Sequence, residues 1–232
     1  MNDAIAGDLG VPVAVDTRAL PWRPSPSPDV ERKRLHRVGP AESGQVTSLV
    51  RYAAGSRFPA HDHPEGEEIL VLSGVFSDEH GDWPAGTYLL NPEGFRHAPF
   101  SREGCTLFVK LRQLAGRDRR HVAIATGALA WQPTGHDGVA DKPLYEQNGY
   151  TDRTSLLRLD AGAALPACEY PLGAEWFVLS GSFHDETGEH AEGAWLRLPA
   201  GARHALRSGP GCTLYRKLAG LPYLRSGNEE DA

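Results

Sequence analysis

The chain contains two versions of one domain-sized unit, and this duplication constrains its fold more than any other feature. Shifting the sequence by 107 positions places residues 47–111 over residues 154–218 without a gap, and 33 of these 65 pairs are identical. Upstream, a shift of 109 places residues 13–24 over residues 122–133. Solenoid repeats have roughly 20–50 residues, whereas this period is that of a small domain. We therefore predict a duplicated domain whose boundary falls near residues 117–120.

Composition and local pattern predict an all-β fold. The 232 residues include 26 Gly and 18 Pro, and each interior Gly costs a helix about 1 kcal/mol and each Pro about 3. Short apolar or alternating segments separated by turn residues indicate one sandwich or barrel per repeat. The predicted division is an N-terminal tail (1–12), an N-terminal domain (13–119), a C-terminal domain (120–225) and a C-terminal tail (226–232).

Charge and hydropathy exclude several classes of partner. The formal net charge is −6, which argues against a nucleic-acid-binding surface. No segment approaches the roughly 20 apolar residues of a membrane span, and the first residues do not have the pattern of a signal peptide. Three cysteines fit a reducing compartment better than a disulfide framework. We therefore expect a cytoplasmic protein with no nucleic-acid and no membrane partner.

The first repeat contains a pattern of histidines and a glutamate that predicts a metal site. It consists of Gly-x5-His-x-His-x3-Glu-x6-Gly, which begins at Gly55, and Gly-x5-Pro-x-Gly-x2-His, which begins at Gly86. Two histidines separated by one residue point to the same face of a strand. Three imidazoles and a carboxylate that converge inside a barrel suit a first-row transition metal. The predicted ligands are His61, His63, Glu67 and His97.

Glu68 is the rival to Glu67, because Glu68 is the carboxylate that has a counterpart, Glu175, in the second repeat. Strand parity and the six residues that separate Glu67 from Gly74 favour Glu67. Glu68 is then expected to face outward or to hydrogen-bond to a ligating histidine from behind.

Both segments resemble the two cupin motifs, and the string GVFSDEHGDWPAGTYLLNPEGFRHAPFSREGCTLFVKLRQ is similar to the cupin domain of ChrR-like anti-sigma factors. The second motif lacks only its final Asn, which Ser101 replaces. The resemblance implies a jelly-roll barrel in each repeat and a tandem bicupin overall. It also implies a mononuclear metal, often zinc, on the four residues listed above. The sequence has no Cys-x2-Cys, so it lacks the zinc-binding module that contacts the sigma factor, and we do not expect sigma-factor binding.

The second repeat has lost most of the candidate ligands. At the equivalent positions it carries Cys168, Tyr170, Ala174 and His204. One interpretation is an empty barrel that serves packing or dimerisation. The other is a weaker site made of Cys168, Glu175 and His204. Cys105 and Cys212 are equivalent to each other and are interpreted as small core residues, with a redox-sensing pair as the alternative.

The sequence leaves three functions open, so whether the protein is an enzyme is undecided. The first is a metal-binding sensor or small-molecule-binding protein. The second is a metal-dependent dioxygenase that acts on a small organic substrate in a partly apolar cavity, with Phe58, Leu90, Phe95 and Phe108 as candidate lining residues. The third is a structural zinc site. Zinc is the favoured metal, with iron, manganese and nickel as alternatives. We expect the protein to form a homodimer. We also expect a small-molecule ligand in the N-terminal barrel.

Overall fold

The computed structural model describes residues 4–227, so the outermost residues of the two predicted tails, 1–3 and 228–232, lie outside the described residues. Almost all regular structure in this range is antiparallel β-sheet, apart from two 3-10 turns at Thr126–Ala128 and Leu221–Tyr223. The all-β prediction is therefore confirmed. No helix among the described residues is long and apolar enough to span a membrane.

Ten strands belong to the first repeat: β1 (Val13–Asp16), β2 (Arg23–Pro24), β3 (Val30–Val38), β4 (Gln45–Tyr52), β5 (His61–His63), β6 (Glu67–Asp78), β7 (Gly81–Pro84), β8 (Thr87–Asn91), β9 (Phe95–His97) and β10 (Cys105–Leu111). Ten belong to the second repeat: β11 (Val122–Ala125), β12 (Gln132–Pro133), β13 (Val139–Tyr145), β14 (Arg153–Leu159), β15 (Ala164–Tyr170), β16 (Ala174–Asp185), β17 (Gly188–Ala191), β18 (Ala194–Leu198), β19 (Ala202–Arg207) and β20 (Cys212–Leu218).

The first compact unit is a jelly-roll barrel whose main sheet has the order β11-β8-β6-β10-β4-β3-β2, with β7 paired to the end of β6. The short β5–β9 pair forms a separate sheet. The second unit repeats this plan with the order β1-β18-β16-β20-β14-β13-β12, and β15 and β19 take the places of β5 and β9. Alternation along the strands sets each core: on β10, Cys105, Leu107 and Val109 point inward.

The two compact units do not coincide with the two repeats at their ends. The first unit contains Pro21–Gly127 and short segments from both chain ends, and the second contains Ala128–Leu224 together with Asp8–Leu20. The first strand of each repeat is therefore exchanged: β1 pairs with β18 in the second unit, and β11 pairs with β8 in the first. The boundaries expected from the sequence, 13–119 and 120–225, differ from this division because the repeat alignment cannot show which sheet edge a first strand joins.

The arm before β2 is held by an aromatic contact that recurs in both units. Trp22 contacts the side chains of Lys33 and Arg51, whose charged groups are 4.8 and 4.5 Å from the indole centroid. Trp131 has the same arrangement with Lys142 and Arg158. A cation over an indole face is attracted by the ring quadrupole, so these contacts fix the extended segments on the sheets.

Gly74 lies where β6 bends from the main sheet toward β7, and its backbone φ is +70°. A Cβ atom at this position would lie 2.1 Å from the Gly104 carbonyl oxygen. Gly181, its counterpart, has a φ of +71° and the same close approach to Gly211. The bend therefore requires glycine for two reasons, conformation and space.

We expect Gly74→Ala to lower the free energy of unfolding by roughly 2–4 kcal/mol, because it combines a left-handed backbone with a steric clash. Gly55→Ala is the matched control: φ is +84° at Gly55, but nothing lies within 4 Å of the added Cβ, so only about 1–2 kcal/mol should be lost. Urea denaturation measures both. Equal losses would show that the close approach to Gly104 does not constrain the bend.

Candidate metal centre

Three histidines converge where the short β5–β9 sheet meets the main sheet of the first unit. His61 and His63 lie on β5 and point to one face, and His61 is the cross-strand partner of His97 on β9. One ring nitrogen from each of the three histidines lies within 4.8 Å of the other two. His63 and His97 are buried, whereas His61 is half-exposed. The described residues of the first unit therefore contain a histidine triad that is able to hold a metal ion.

Glu67, the first residue of β6, reaches two of these histidines. Its Oε2 atom is 3.5 Å from His63 Nε2 and 3.6 Å from His97 Nε2, and these two nitrogens are 2.8 Å apart. Donors that are each about 2.1 Å from one ion lie roughly 3.0 Å apart at a right angle and 3.4 Å apart at a tetrahedral angle. The observed separations fit a shared ion. Asn91 Nδ2 donates a 2.9 Å hydrogen bond to Glu67 Oε2 and orients the carboxylate.

Hydrogen bonds and burial both favour rings that turn a neutral nitrogen toward the centre of the triad. His61 Nδ1 donates to the Pro59 carbonyl at 2.8 Å, which directs Nε2 away from the backbone. Burial lowers the pKa of His63, although Glu67 opposes this shift, so its imidazole is neutral at pH 7. Neutral imidazole is the form that binds metals.

Asp78 supports His97 from behind, and the sequence analysis missed it. His97 Nδ1 donates to Asp78 Oδ2 at 3.1 Å, which leaves Nε2 facing Glu67. Burial acts to raise the pKa of Asp78, but hydrogen bonds from His97, the His80 amide and Trp83 outweigh it and lower that pKa. A carboxylate of this kind behind a ligating histidine fixes its tautomer and orientation. The available signal was the identity of Asp78 and Asp185 in the repeat alignment.

Glu68 points to the opposite face of β6. The Tyr88 hydroxyl donates to its Oε1 atom at 2.8 Å, and its cross-strand partners are Leu90 and Lys110. The two adjacent glutamates therefore lie on different faces of the sheet, as alternation requires. The carboxylate that hydrogen-bonds to a site histidine is that of Asp78.

A cavity of about 480 Å³ opens beside the triad, and its walls are largely apolar. His61, His63 and Glu67 form part of its lining, together with Phe58. Its size is in the range of small-molecule sites. The other candidate lining residues are placed elsewhere: Leu90 and Phe108 are buried outside this cavity, and Phe95 stacks on His121 with ring centroids 5.1 Å apart. For Leu90 and Phe108 the reason is strand parity, since Leu89 and Leu107 are the inward residues.

In the second unit a different set of side chains surrounds the surviving histidine. Cys168 and His204 are cross-strand partners on β15 and β19. Trp176 replaces Ile69 and packs against His204 and Tyr170, with ring centroids 5.1 and 5.3 Å apart. Ala174, at the position of Glu67, is buried and has no ligating atom.

The weaker site considered for Cys168, Glu175 and His204 is not assembled. Glu175 lies on the other face of β16, where Trp195 Nε1 donates to it at 2.6 Å. Among the described residues, the carboxylates that group with His204 are Asp185 and Glu186. Strand alternation explains the separation, because Ala174 and not Glu175 occupies the inward position.

The two equivalent cysteines are free and buried in their cores, whereas Cys168 is exposed. Burial raises the pKa of the Cys105 thiol to about 11 and also raises that of Cys212. Because the thiolate is the reactive form, we expect a disulfide reagent such as DTNB at pH 8 to modify Cys168 rapidly and the other two only after denaturation. Rapid modification of more than one of the three thiols in the native protein would contradict this assignment.

The duplicated jelly-roll architecture and the histidine triad define this protein as a tandem cupin with a candidate metal centre in its first barrel. The chain belongs to the ChrR cupin-like family: the family model described as "ChrR Cupin-like domain" matches residues 11–115 and again residues 119–222. The resemblance seen in the sequence is therefore confirmed over both repeats.

No curated protein matches the sequence, whereas solved structures share the fold. A "putative dioxygenase" from Nostoc punctiforme is similar with a TM-score of 0.75 at 16% identity, over 95% of this chain and 85% of that one. A "putative glyoxylate induced protein" from Pseudomonas aeruginosa has a TM-score of 0.71 at 10% identity, over 89% and 88% of the two chains. Oxalate decarboxylase from Bacillus subtilis has a TM-score of 0.62 at 14% identity, over 89% and 75%.

Proposed function

We propose that the first barrel holds one divalent transition metal on His61, His63, His97 and Glu67, and that the adjacent cavity binds a small organic molecule at this centre. The observation that carries the proposal is the convergence of three imidazoles, within 4.8 Å, in a barrel with a cavity of about 480 Å³. Zinc is the metal we expect first, with iron, manganese and nickel as alternatives, because imidazole and carboxylate ligands suit all of them.

The surroundings of the triad favour a binding role over a purely structural zinc site. Structural zinc sites are closed off from ligands, whereas His61 and His63 both line a cavity that a small molecule can fill. Asp78 and Asn91 hold His97 and Glu67 from the side away from this space. We therefore propose a small-molecule-binding or sensor protein.

A metal-dependent enzyme of the dioxygenase type is the second candidate, because the same cavity gives a substrate access to the metal. A metal bound there would supply a Lewis acid and a template for a substrate oxygen. The protein's own residues would orient that substrate, exclude water through the apolar walls, and keep His63 neutral. The enzyme activity is inferred from the metal site and its cavity, because proteins with the same fold have many different activities.

The two adjacent glutamates provide a test of the proposed ligand set. We expect Glu67→Gln to weaken metal binding at least about tenfold, because an amide is a poorer ligand than a carboxylate. Glu68→Gln should leave metal affinity unchanged, since its carboxylate lies on the other face of β6 with Tyr88. Competition with a chromophoric chelator measures both affinities. If Glu68→Gln has the larger effect, the assignment of Glu67 is wrong.

Oxygen consumption separates the two candidate functions. The protein is loaded in turn with iron, manganese and nickel and screened against β-diketones and flavonols. Turnover that disappears in the His61→Ala, His63→Ala double variant supports the enzyme. No turnover with any metal on any of these substrates counts against the dioxygenase and leaves the binding role as the better account.

A further inference from the structure

Among the described residues that line the cavity of the first unit, Arg112 is an arginine without an ion-pair partner. Arg32 forms an ion pair with Glu42 at 2.6 Å, and Asp62 is paired with Arg96 at 3.2 Å. Arg112 also lines the cavity and is half-buried, but among the described residues its guanidinium has no ion-pair partner. An unpaired guanidinium on a cavity wall is suited to an anion, and its planar fork matches a carboxylate.

The backbone holds Arg112 in place at the end of the cavity where Glu67 lies. Arg112 follows Leu111, the cross-strand partner of Glu67. Its φ is +60°, its amide donates to the Gly66 carbonyl at 3.0 Å, and its carbonyl accepts a 2.6 Å hydrogen bond from Gln45 Nε2. The backbone of Arg112 is therefore fixed next to the cross-strand partner of Glu67, and its side chain lines the cavity at that end.

Two hydroxyl groups further along the same wall also lack partners. Ser48 is 2% exposed, and its Oγ atom has no hydrogen-bond partner among the described residues. Tyr52 is 7% exposed, its ring packs against Phe58 and Phe76, and no described residue accepts a hydrogen bond from its hydroxyl. Buried polar groups in folded proteins nearly always have a partner, so the Ser48 hydroxyl is available to a polar group of a ligand on this cavity wall.

The positions of Arg112, Ser48 and Tyr52 along the barrel indicate how a bound ligand would be oriented. Val46, Ser48, Val50 and Tyr52 alternate inward on β4 and all line the cavity. Val46 pairs with Leu111, so Arg112 lies near the start of this row and Tyr52 lies at its far end. Apolar residues such as Ile69, Leu107 and Val109 lie between the two ends.

We propose that the cavity binds a small organic carboxylate, whose anionic group contacts Arg112 and Ser48 and whose apolar body extends toward Tyr52. This inference deepens the proposed function and rests on the cavity being a ligand site. It assigns Arg112 as the residue that selects an anion and Ser48 as a positioning residue, with the ring of Tyr52 forming part of the apolar wall.

The second unit shows that Arg112 is not needed for the fold. Its counterpart is Ala219, which adopts the same backbone conformation with a φ of +55°. The Tyr52 position is occupied by Leu159, and the counterpart of Ser48, Ser155, accepts a hydrogen bond from Arg216 at 3.1 Å. The unpartnered groups therefore belong to the first unit, and Arg112→Ala reproduces a residue that the same turn already accommodates.

Calorimetric titration of the full chain loaded with Zn²⁺ tests the proposal, with zinc content measured on every sample. The probes are phenylacetate and hexanoate, each compared with the neutral alcohol of the same skeleton, 2-phenylethanol or 1-hexanol. We expect at least one carboxylate to bind about tenfold or more tightly than its alcohol, and Arg112→Ala to remove that preference. Ser48→Ala should weaken carboxylate binding severalfold, whereas Tyr52→Phe should not, because these probes place only apolar atoms near Tyr52. Arg102→Gln, which removes an exposed charge paired with Asp82 outside the cavity, should change nothing.

Each alternative result identifies what has failed. If zinc is bound but neither carboxylate binds better than its alcohol, the anion site is wrong and the metal centre stands. Equal carboxylate affinity in the wild type and in Arg112→Ala means that the metal alone holds the anion, which also overturns the proposal. If neither zinc nor iron, manganese or nickel is retained, the proposed function fails. The carboxylate titration of the same metal-free protein then decides the anion site separately, and absence of binding overturns it.

Discussion

Replacing His61 and His63 together by alanine should reduce the metal content of the purified protein from one ion per chain to none. These side chains supply two of the three imidazoles of the triad, and a single imidazole with one carboxylate does not retain a transition metal against dialysis. Inductively coupled plasma mass spectrometry after dialysis against a weak chelator measures the ratio. Circular dichroism verifies that the barrel persists.

The duplication supplies the control for this experiment. His204 is the counterpart of His97 and is equally buried, but it hydrogen-bonds to Asp185 in a unit that lacks the other ligands. His204→Ala should therefore leave the metal content at one per chain. If the double variant keeps its metal, or if His204→Ala loses it, the metal lies outside the site that we assign to the first barrel.

Asp78→Asn should weaken metal binding by roughly 10–100-fold while leaving the ligand set complete. The carboxylate accepts the Nδ1 proton of His97 at 3.1 Å and so keeps Nε2 free for the metal. An asparagine in its place allows an N–H to face Nδ1 and permits the other tautomer. Competition with a chelator measures the affinity.

Asp185→Asn is the matched variant, because Asp185 accepts a hydrogen bond from His204 at 2.9 Å in the second unit. Both substitutions remove one charge from a buried carboxylate, so a general loss of stability would affect them alike. We expect the metal affinity to fall in the first variant only. Unchanged affinity in Asp78→Asn would show that Asp78 has no part in orienting His97.

Much of the fold could be predicted from the sequence, because it depends on local residue patterns and on patterns that recur in both repeats. The repeat predicts two similar units, and the recurring glycines mark the same turns in both. The spacing of two residues between His61 and His63 places both on one strand face, and the structure brings His97 to them. Parity also separates Glu67 from Glu68, since adjacent residues on β6 must point to opposite faces.

The features that could not be predicted from the sequence depend on contacts between residues of different strands. The exchange of β1 and β11 depends on which sheet edge is free, and this has no signature in the strand itself. Asp78 reaches His97 because β6 bends at Gly74. Arg112 belongs to no distinctive motif, and only its lack of an ion-pair partner among the described residues around the folded cavity draws attention to it.

The second unit keeps the fold of the first unit but not its set of candidate metal ligands. The bend at Gly181 and the Asp185–His204 pair are kept, whereas Trp176 now packs beside the histidine. The fold tolerates the loss of the ligands because it is stabilised by its apolar core and its turns. The candidate centre in the first unit is therefore a set of side chains that the barrel carries but does not need.

X-ray absorption spectroscopy at the edge of the bound metal tests the central claim most directly. A metal held by His61, His63, His97 and Glu67 predicts a first coordination sphere of nitrogen and oxygen only, at about 2.0–2.2 Å for zinc, with the outer-shell scattering of imidazole rings. A sulfur scatterer at about 2.3 Å would place the metal on a cysteine, of which Cys168 is the exposed one, and would contradict a centre in the first barrel.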